Sequence, residues 1–337
     1  MKRAFNTKNE LIEINQIRMG EDYFCPQCMK KVTVCFGEIK KPYFAHQKLT
    51  KHIGNNETDC HQKGKDLLVK YFIKKHLIPK TEFYLKDTKQ RADIFINNNI
   101  IEYQCSPISI TKIKQRQQKY HNLGFNSFWI AGPRFWHKTI SLNTLLKFGF
   151  FNDKYQLCLL YWDALNQASP ILLNNILISA LGKLKYQKMD IFYKQKYQIY
   201  FNEESLLEEC FRINHKILGN KMDLRYIDVQ KKCYQEMKNI MGAPLIVHFP
   251  RQTNDLVNNM PPILNRINFL LNIEHNNIAI DENKYTVDKS FLQLLLKNKY
   301  LVINNNYLMR TTKKLKWYED FNEKSSKIKK DLENLIF

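Results

Sequence analysis

The sequence predicts an α/β protein with a small β-rich N-terminal region, a central mixed sheet flanked by helices, and a mainly helical C-terminal domain. Three observations carry this. From Glu57 to Gly132 the apolar spacing runs helix, strands, helix, strand, the order of a compact mixed-sheet unit. Before it, residues 1–56 are short, turn-rich and strand-like; beyond about residue 203, helical patterns dominate. At 337 residues the chain exceeds one ordinary small core, and domains are expected over 1–56, 57–160 and 161–337.

The first helix runs from Glu57 to His76, with Leu67, Leu68, Tyr71 and Phe72 at helical spacing and Pro79 beyond its end. Strands follow over 81–87, 91–97 and 100–105, rich in Ile, Phe and Tyr. Residues 109–122 make a polar, basic helix capped by Gly124, and Asn126–Gly132 reads as a buried strand. Tyr155–Trp162 is another strand candidate, and 170–200 fits either further strands or a short helix. Helices are then expected over 203–217, 226–240, 261–272, 288–297 and 322–335.

Composition narrows the partners. A hydrophobic content of 44% excludes wholesale disorder, and a net charge of +21 suits a polyanion such as nucleic acid. Lys and Asn richness also follows from AT-rich coding, so charge alone favours DNA only modestly. No apolar run reaches membrane-spanning length and the N-terminus lacks an apolar signal core, so a cytoplasmic protein without membrane insertion is expected. The cysteines are too scattered for a disulfide framework.

The segment Gln90–Ser106 is the most informative. Asp93, Glu102 and Gln104 interrupt apolar runs on two strands joined by an asparagine turn. Glu102 and Gln104 share a face by strand alternation. A turn at Asn98-Asn99 would set Asp93 across from Gln104, so that two acids and an amide converge on one spot. Unpaired carboxylates there are costly, and a divalent cation is their natural partner. Acids on strands also occur facing solvent.

Two further patterns add to this. Cys25-x-x-Cys28 lies on a turn before a strand rather than at a strand-to-helix junction, which fits structural zinc better than a redox pair. His46 and His52 supply two more ligands, with Cys60 or His61 as alternatives to His52. Glu57, His61 and Lys65 form one stripe on the first helix, a common solvated pattern that gains purpose beside the acid-bearing hairpin.

Taken in order, these residues resemble the competence protein CoiA family. The matching set is Tyr23-Phe24-Cys25-Pro26-Gln27-Cys28, Pro42-Tyr43-Phe44-Ala45-His46, Glu57-Thr58-x-x-His61-x-x-x-Lys65, Gln90-Arg91-Ala92-Asp93-Ile94-Phe95, Glu102-x-Gln104-Cys105-Ser106-Pro107, Arg116-x-x-x-Tyr120 and Trp129-Ile130. The resemblance implies an N-terminal zinc-binding region and a nuclease-like domain of the PD-(D/E)xK superfamily. It also implies a role in natural transformation, promoting recombination of DNA taken up as a single strand. By the same resemblance Asp93 and Glu102 match the metal-binding acids and Glu57 the acid of the first helix. Gln104 stands where the superfamily usually has lysine, although this family commonly has Glu-x-Gln. His52 stands where relatives have cysteine, and Thr58 where serine is usual.

The expected chemistry is phosphodiester hydrolysis assisted by Mg²⁺ or Mn²⁺ on Asp93, Glu102 and Glu57. Gln104 can orient water but carries no charge, leaving His61, Lys65 or Arg116 as auxiliary candidates. Lys112, Lys114, Arg116 and Lys119 make a phosphate-binding face on the basic helix, or an ordinary solvated one. The competing function is a DNA-binding scaffold with a degraded site that assists a recombinase. Single-stranded or branched DNA and recombination proteins are the expected partners.

Overall fold

The computed structural model describes residues 3–25, 29–36, 42–46, 59–136, 139–194, 196–198, 205–218, 223–275, 278–279 and 287–337. Two units separate along the chain, Met1–Thr58 and Asp59–Phe337. In the first, strands β1 (Arg3–Phe5), β2 (Leu11–Glu13), β3 (Tyr23–Phe24), β4 (Lys31–Cys35) and β5 (Tyr43–Ala45) pair in the order β2-β1-β3-β4-β5. Ala4, Tyr23, Cys25, Val32 and Phe44 pack as its core.

The second unit opens with helix α1 (Asp59–Lys74), followed by β6 (Lys80–Leu85), β7 (Gln90–Ile96), β8 (Asn99–Gln104), α2 (Ile110–Asn122) and β9 (Asn126–Ala131). Ser109 caps α2 by accepting from the Lys112 amide, and Gly124 takes the left-handed φ of +77° that ends it. Then come α3 (Leu142–Phe148), β10 (Phe150–Asn152), β11 (Gln156–Tyr161), β12 (Ile171–Ser179), β13 (Leu184–Asp190) and β14 (Lys196–Gln198). The sheet order is β14-β13-β12-β11-β9-β8-β7-β6, with β10 also on β11. Strands β8, β9 and β11 run parallel and their outer neighbours antiparallel, so the sheet is mixed as expected.

Its two faces are covered by different helices. Cys60 and Leu68 of α1 pack with Tyr103, Ile130 and Trp162. Ile113 of α2 packs with Trp129 and Ala131, and Tyr120 with Ala92 and Ile100. Because Trp129 and Ala131 alternate with Ile130 along β9, α1 and α2 lie on opposite faces.

The remaining elements are α4 (Leu206–Leu218), α5 (Leu224–Gln235), β15 (Gln252–Thr253), α6 (Pro262–His275), β16 (Ile278–Ala279), α7 (Lys289–Lys297), β17 (Leu301–Asn304), β18 (Tyr307–Arg310) and α8 (Phe321–Leu332). Their apolar core surrounds Ile263, Ile267, Phe291 and Leu295. Within it Arg266, fully buried, pairs with Asp288 at 2.8 Å and donates to the Val247 carbonyl at 2.9 Å. The division drawn at residue 160 falls inside β11, and β12 to β15 continue the same sheet. β15 pairs with β12 and the Ile263 amide donates to the Ala180 carbonyl at 3.0 Å, so residues 59–337 form one unit rather than two. The reason lies in β12, whose alternate and adjacent apolar residues need cover on both faces.

Candidate active site

The hairpin turn is Asn97-Asn98, one residue earlier than expected. Both residues take left-handed φ values, 44° and 64°, the requirement of a tight two-residue hairpin turn that asparagine meets cheaply. Ile96 faces Asn99, Phe95 faces Ile100 and Ile94 faces Ile101. Continuing that register brings Asp93 level with Glu102, not with Gln104. Two neighbouring features then bend the strands at this level. Ile94 joins the core under α1 whereas Ala92 joins the core under α2, so strict alternation breaks at Asp93. On the adjoining strand Glu82 sits at φ +52°.

Glu102 points under α2. Its Oε1 accepts from Arg116 Nη2 at 2.5 Å and from the Tyr120 hydroxyl. The side chain is only 3% exposed. Burial pushes its carboxyl up, the Arg116 charge opposes this, and the nearby Asp93 charge adds to the rise, so it stands above the usual carboxylate range. Arg116 also donates to the Arg91 carbonyl at 2.9 Å, and its guanidinium lies 5.2 Å from the Trp129 ring centre. Helical spacing sets Arg116 beside Ile113 and Tyr120 on the inward stripe of α2. It therefore leaves the outward face, on which Lys112, Lys114 and Lys119 are exposed.

Asp93 is held from the other side. Its Oδ2 accepts the Tyr103 amide at 2.9 Å, filling a gap in the β7–β8 ladder, and meets His61 Nε2 of α1 at 3.0 Å. Burial raises its carboxyl, but the His61 hydrogen bond and charge, the Lys65 charge and the Tyr103 amide together hold it below the usual range. The two acids are thus gripped from opposite faces while remaining close enough for the Asp93 charge to raise the Glu102 carboxyl.

A third acid belongs to this network and was not anticipated. Glu82 of β6 pairs with the buried Lys65 of α1 and lies 3.7 Å from Arg91 Nη1. Its sequence context, Lys-Thr-Glu-Phe-Tyr, reads as an ordinary edge strand; the one available signal was an acid on the strand adjoining that of Asp93. Gln104 turns away from the acids, donating through Nε2 to the Ser106 carbonyl at 2.7 Å and to Ser106 Oγ at 3.0 Å. Glu57 lies outside the described residues.

A divalent cation can be tested against these donors. Asp93 Oδ1 and Glu102 Oε2 make no hydrogen bond among the described residues, and carboxylate oxygens are the hard donors that Mg²⁺ and Mn²⁺ take. The donor chemistry fits.

In the N-terminal unit the Cys25 amide donates to the Lys30 carbonyl at 2.7 Å and its carbonyl accepts from the Met29 amide at 2.8 Å, closing a tight knuckle between β3 and β4. β3 and β5 both pair antiparallel with β4, so Cys25 and His46, each just past the end of its strand, come to the same end of the sheet. Cys28 and His52 lie outside the described residues. Of the alternatives, Cys60 belongs to α1 and meets the Tyr103 hydroxyl at 3.1 Å, while His61 meets Asp93.

The fold and this acid-bearing hairpin define a nuclease-like α/β domain preceded by a small β-rich region. Residues 57–204 match the model described as competence protein CoiA, nuclease-like domain, and residues 6–51 match that of the competence protein CoiA, N-terminal domain. The chain belongs to the competence protein CoiA family. No curated protein and no solved structure matches it.

Proposed function

We propose that this protein acts in the cytoplasm on DNA taken up during natural transformation, with Asp93 and Glu102 as the acid pair of a metal-dependent phosphodiesterase. The observation that carries this reading is that two acids lie largely buried on adjacent strands of a nuclease-like domain. Burying like charges together is costly unless a cation shares them, and such costs concentrate at functional sites. Asp93 and Glu102, with Glu57, would hold Mg²⁺ or Mn²⁺, which when bound polarises a scissile phosphate. His61 fixes Asp93, and Arg116 with Tyr120 fixes Glu102. Lys112, Lys114 and Lys119 offer exposed charges to a phosphate backbone.

In the N-terminal unit, Cys25, Cys28, His46 and His52 would hold a structural zinc ion. So small a β-rich unit buries little apolar surface, and a metal commonly makes up the deficit.

A second reading is favoured by Gln104 and Arg116. No lysine stands at the position where the superfamily carries charge, and a guanidinium already neutralises Glu102. On this reading the domain binds single-stranded or branched DNA and assists recombination proteins without cutting.

Cleavage of single-stranded, duplex and branched DNA with Mg²⁺ or Mn²⁺, wild type against Asp93→Ala, separates the two. Cutting lost in the variant supports the enzyme. Absence of cutting in both, with equal transformation, supports the scaffold. Zinc in wild type but not in Cys25→Ser supports the structural metal; a folded, zinc-free wild type removes it.

A further inference from the structure

Beyond residue 204, where the family match ends, one cluster of titratable side chains plays no part in the acid pair. Glu209 and Cys210 are neighbours on α4, His248 ends the short 3₁₀ turn Leu245–His248, and Lys324 lies early in α8. All four are buried. His248 Nδ1 meets Glu209 Oε1 at 2.7 Å, while its Nε2 meets Lys324 Nζ at 2.9 Å and Cys210 Sγ at 3.5 Å. Arg251 holds the second Glu209 oxygen at 3.2 Å. A carboxylate thus orients an imidazole whose far nitrogen faces a thiol, the arrangement that activates a nucleophile. A primary amine shares that nitrogen.

Packing does not account for this set. Among the residues of α8 only Lys324 is buried, so the helix sends a lysine inward where methionine would fill the space without a charge to desolvate. Its hydrogen-bond partner is an imidazole, since Glu209 is taken by His248 and Arg251. Burial pushes the amine down to about 8, so near that pH much of it is neutral and nucleophilic. Burial raises the Cys210 thiol, but His248 and Lys324 outweigh this and bring it below its usual range. Cys158 and Cys233 are as deeply buried, and their thiols are pushed up to about 11 and about 12. Cys210 is thereby set apart from them in reactivity. The rest of α8 lies at the surface, so a local opening of that one helix uncovers the sulfur.

We infer that Cys210 and Lys324 form a modification site for hydrogen peroxide, at which oxidation joins the thiol sulfur to the lysine nitrogen. With Lys324 neutral, His248 Nε2 takes the thiol proton and Glu209 holds the tautomer. The Cys210 thiolate attacks one peroxide oxygen and the O–O bond breaks, giving a sulfenic acid; the departing hydroxide regains the proton and leaves as water. The Lys324 amine then attacks the sulfur. An S–N bond forms, the S–O bond breaks, and the hydroxyl leaves with an amine proton as a second water. Sulfur loses two electrons and peroxide gains them. The product fastens α8 to α4.

The test treats the reduced full chain with hydrogen peroxide at about pH 8 and maps its tryptic peptides by mass spectrometry. The peptides bearing Cys210 and Lys324 should appear joined, lighter than their sum by two hydrogens, and dithiothreitol should separate them. Cys210 should be consumed at least about tenfold faster than Cys158 or Cys233. Lys324→Met should give no joined peptide, and its Cys210 should accumulate as a sulfenic acid trapped by dimedone. The chain unfolded in urea should give no joined peptide either, because the fold makes the juxtaposition. Cys210 consumed no faster than Cys158 and Cys233 would overturn the proposal. So would a wild-type sulfenic acid that never joins Lys324, or equal joining in the unfolded chain.

Discussion

Arg116 Nη2 donates to Glu102 Oε1 at 2.5 Å and, from the same nitrogen, reaches the Arg91 carbonyl at 2.9 Å and the Tyr120 hydroxyl at 2.9 Å. One guanidinium thus ties a strand acid, the neighbouring strand's backbone and the helix that covers both. Removing either charge strands the other in a poorly hydrated place. Arg116→Met should therefore lose about 3 kcal/mol of stability, the usual cost of breaking a buried pair. The double variant Glu102→Gln/Arg116→Met should recover most of that loss, because no charge is left unpaired. Urea unfolding of the four proteins in the cycle measures this, and additive losses would show that the pair is not coupled.

The outward turn of Gln104 yields a second prediction. Its amide rests on Ser106, so no hydrogen bond to the acids is lost on replacement. Gln104→Lys should leave stability within about 0.5 kcal/mol. If the acid pair cuts DNA, the new charge should raise the Mn²⁺-dependent cleavage rate by about tenfold, through better stabilisation of the transition-state phosphate. Asp93→Ala/Gln104→Lys should show none of the gain.

These residues also mark how far sequence alone carries. Helices expected over 261–272 and 288–297 appear as Pro262–His275 and Lys289–Lys297, because their apolar spacing is strong. The hairpin register slipped because Asn97-Asn98 and Asn98-Asn99 are equally good turn dipeptides; only the strand pairing chooses between them. Arg116 read as a surface base since the sequence does not show which helix stripe faces inward until Ile113 and Tyr120 are seen packed. Glu82 escaped because its contacts with Lys65 and Arg91 are long-range. β17 and β18 escaped because Val302, Ile303 and Tyr307 are exposed, so no alternation marks the strands.

A buried network joins α4, α8 and His248. Lys324 Nζ lies 2.9 Å from His248 Nε2, and His248 Nδ1 lies 2.7 Å from Glu209 Oε1. An ammonium only donates, so Nε2 is the acceptor and Nδ1–H donates to Glu209. Cys210 Sγ completes the cluster at 3.5 Å from Nε2. Burial pushes the Lys324 amine down to about 8, while the unfolded chain keeps its proton to about 10.5. Between those values the unfolded state binds more protons, so stability from this group rises with pH. Lys324→Met should match or exceed wild type in melting temperature at pH 7, and the difference should shift toward wild type between pH 8 and 10. A gap that stays constant would show that the amine does not titrate there.

The approach of α1 to the sheet depends on Gly64. A Cβ at this position would run into the Tyr103 ring. That ring cannot easily yield, because its hydroxyl donates to the Trp162 carbonyl at 3.0 Å, contacts Cys60 Sγ at 3.1 Å and packs against the Trp162 ring. Alanine favours a helix over glycine by about 1 kcal/mol, so propensity alone predicts a more stable Gly64→Ala. Overpacking predicts the reverse, a net loss of about 1–3 kcal/mol as α1 is pushed off the sheet. The same displacement should carry His61, three residues before Gly64, away from Asp93 and free that carboxylate. Gly64→Ala is therefore expected to melt below wild type and to raise the Asp93 pKa read by carboxylate NMR titration, since the His61 contact that lowers it is lost. A stabilised variant with an unchanged Asp93 titration would mean that α1 does not set the geometry of the acid pair.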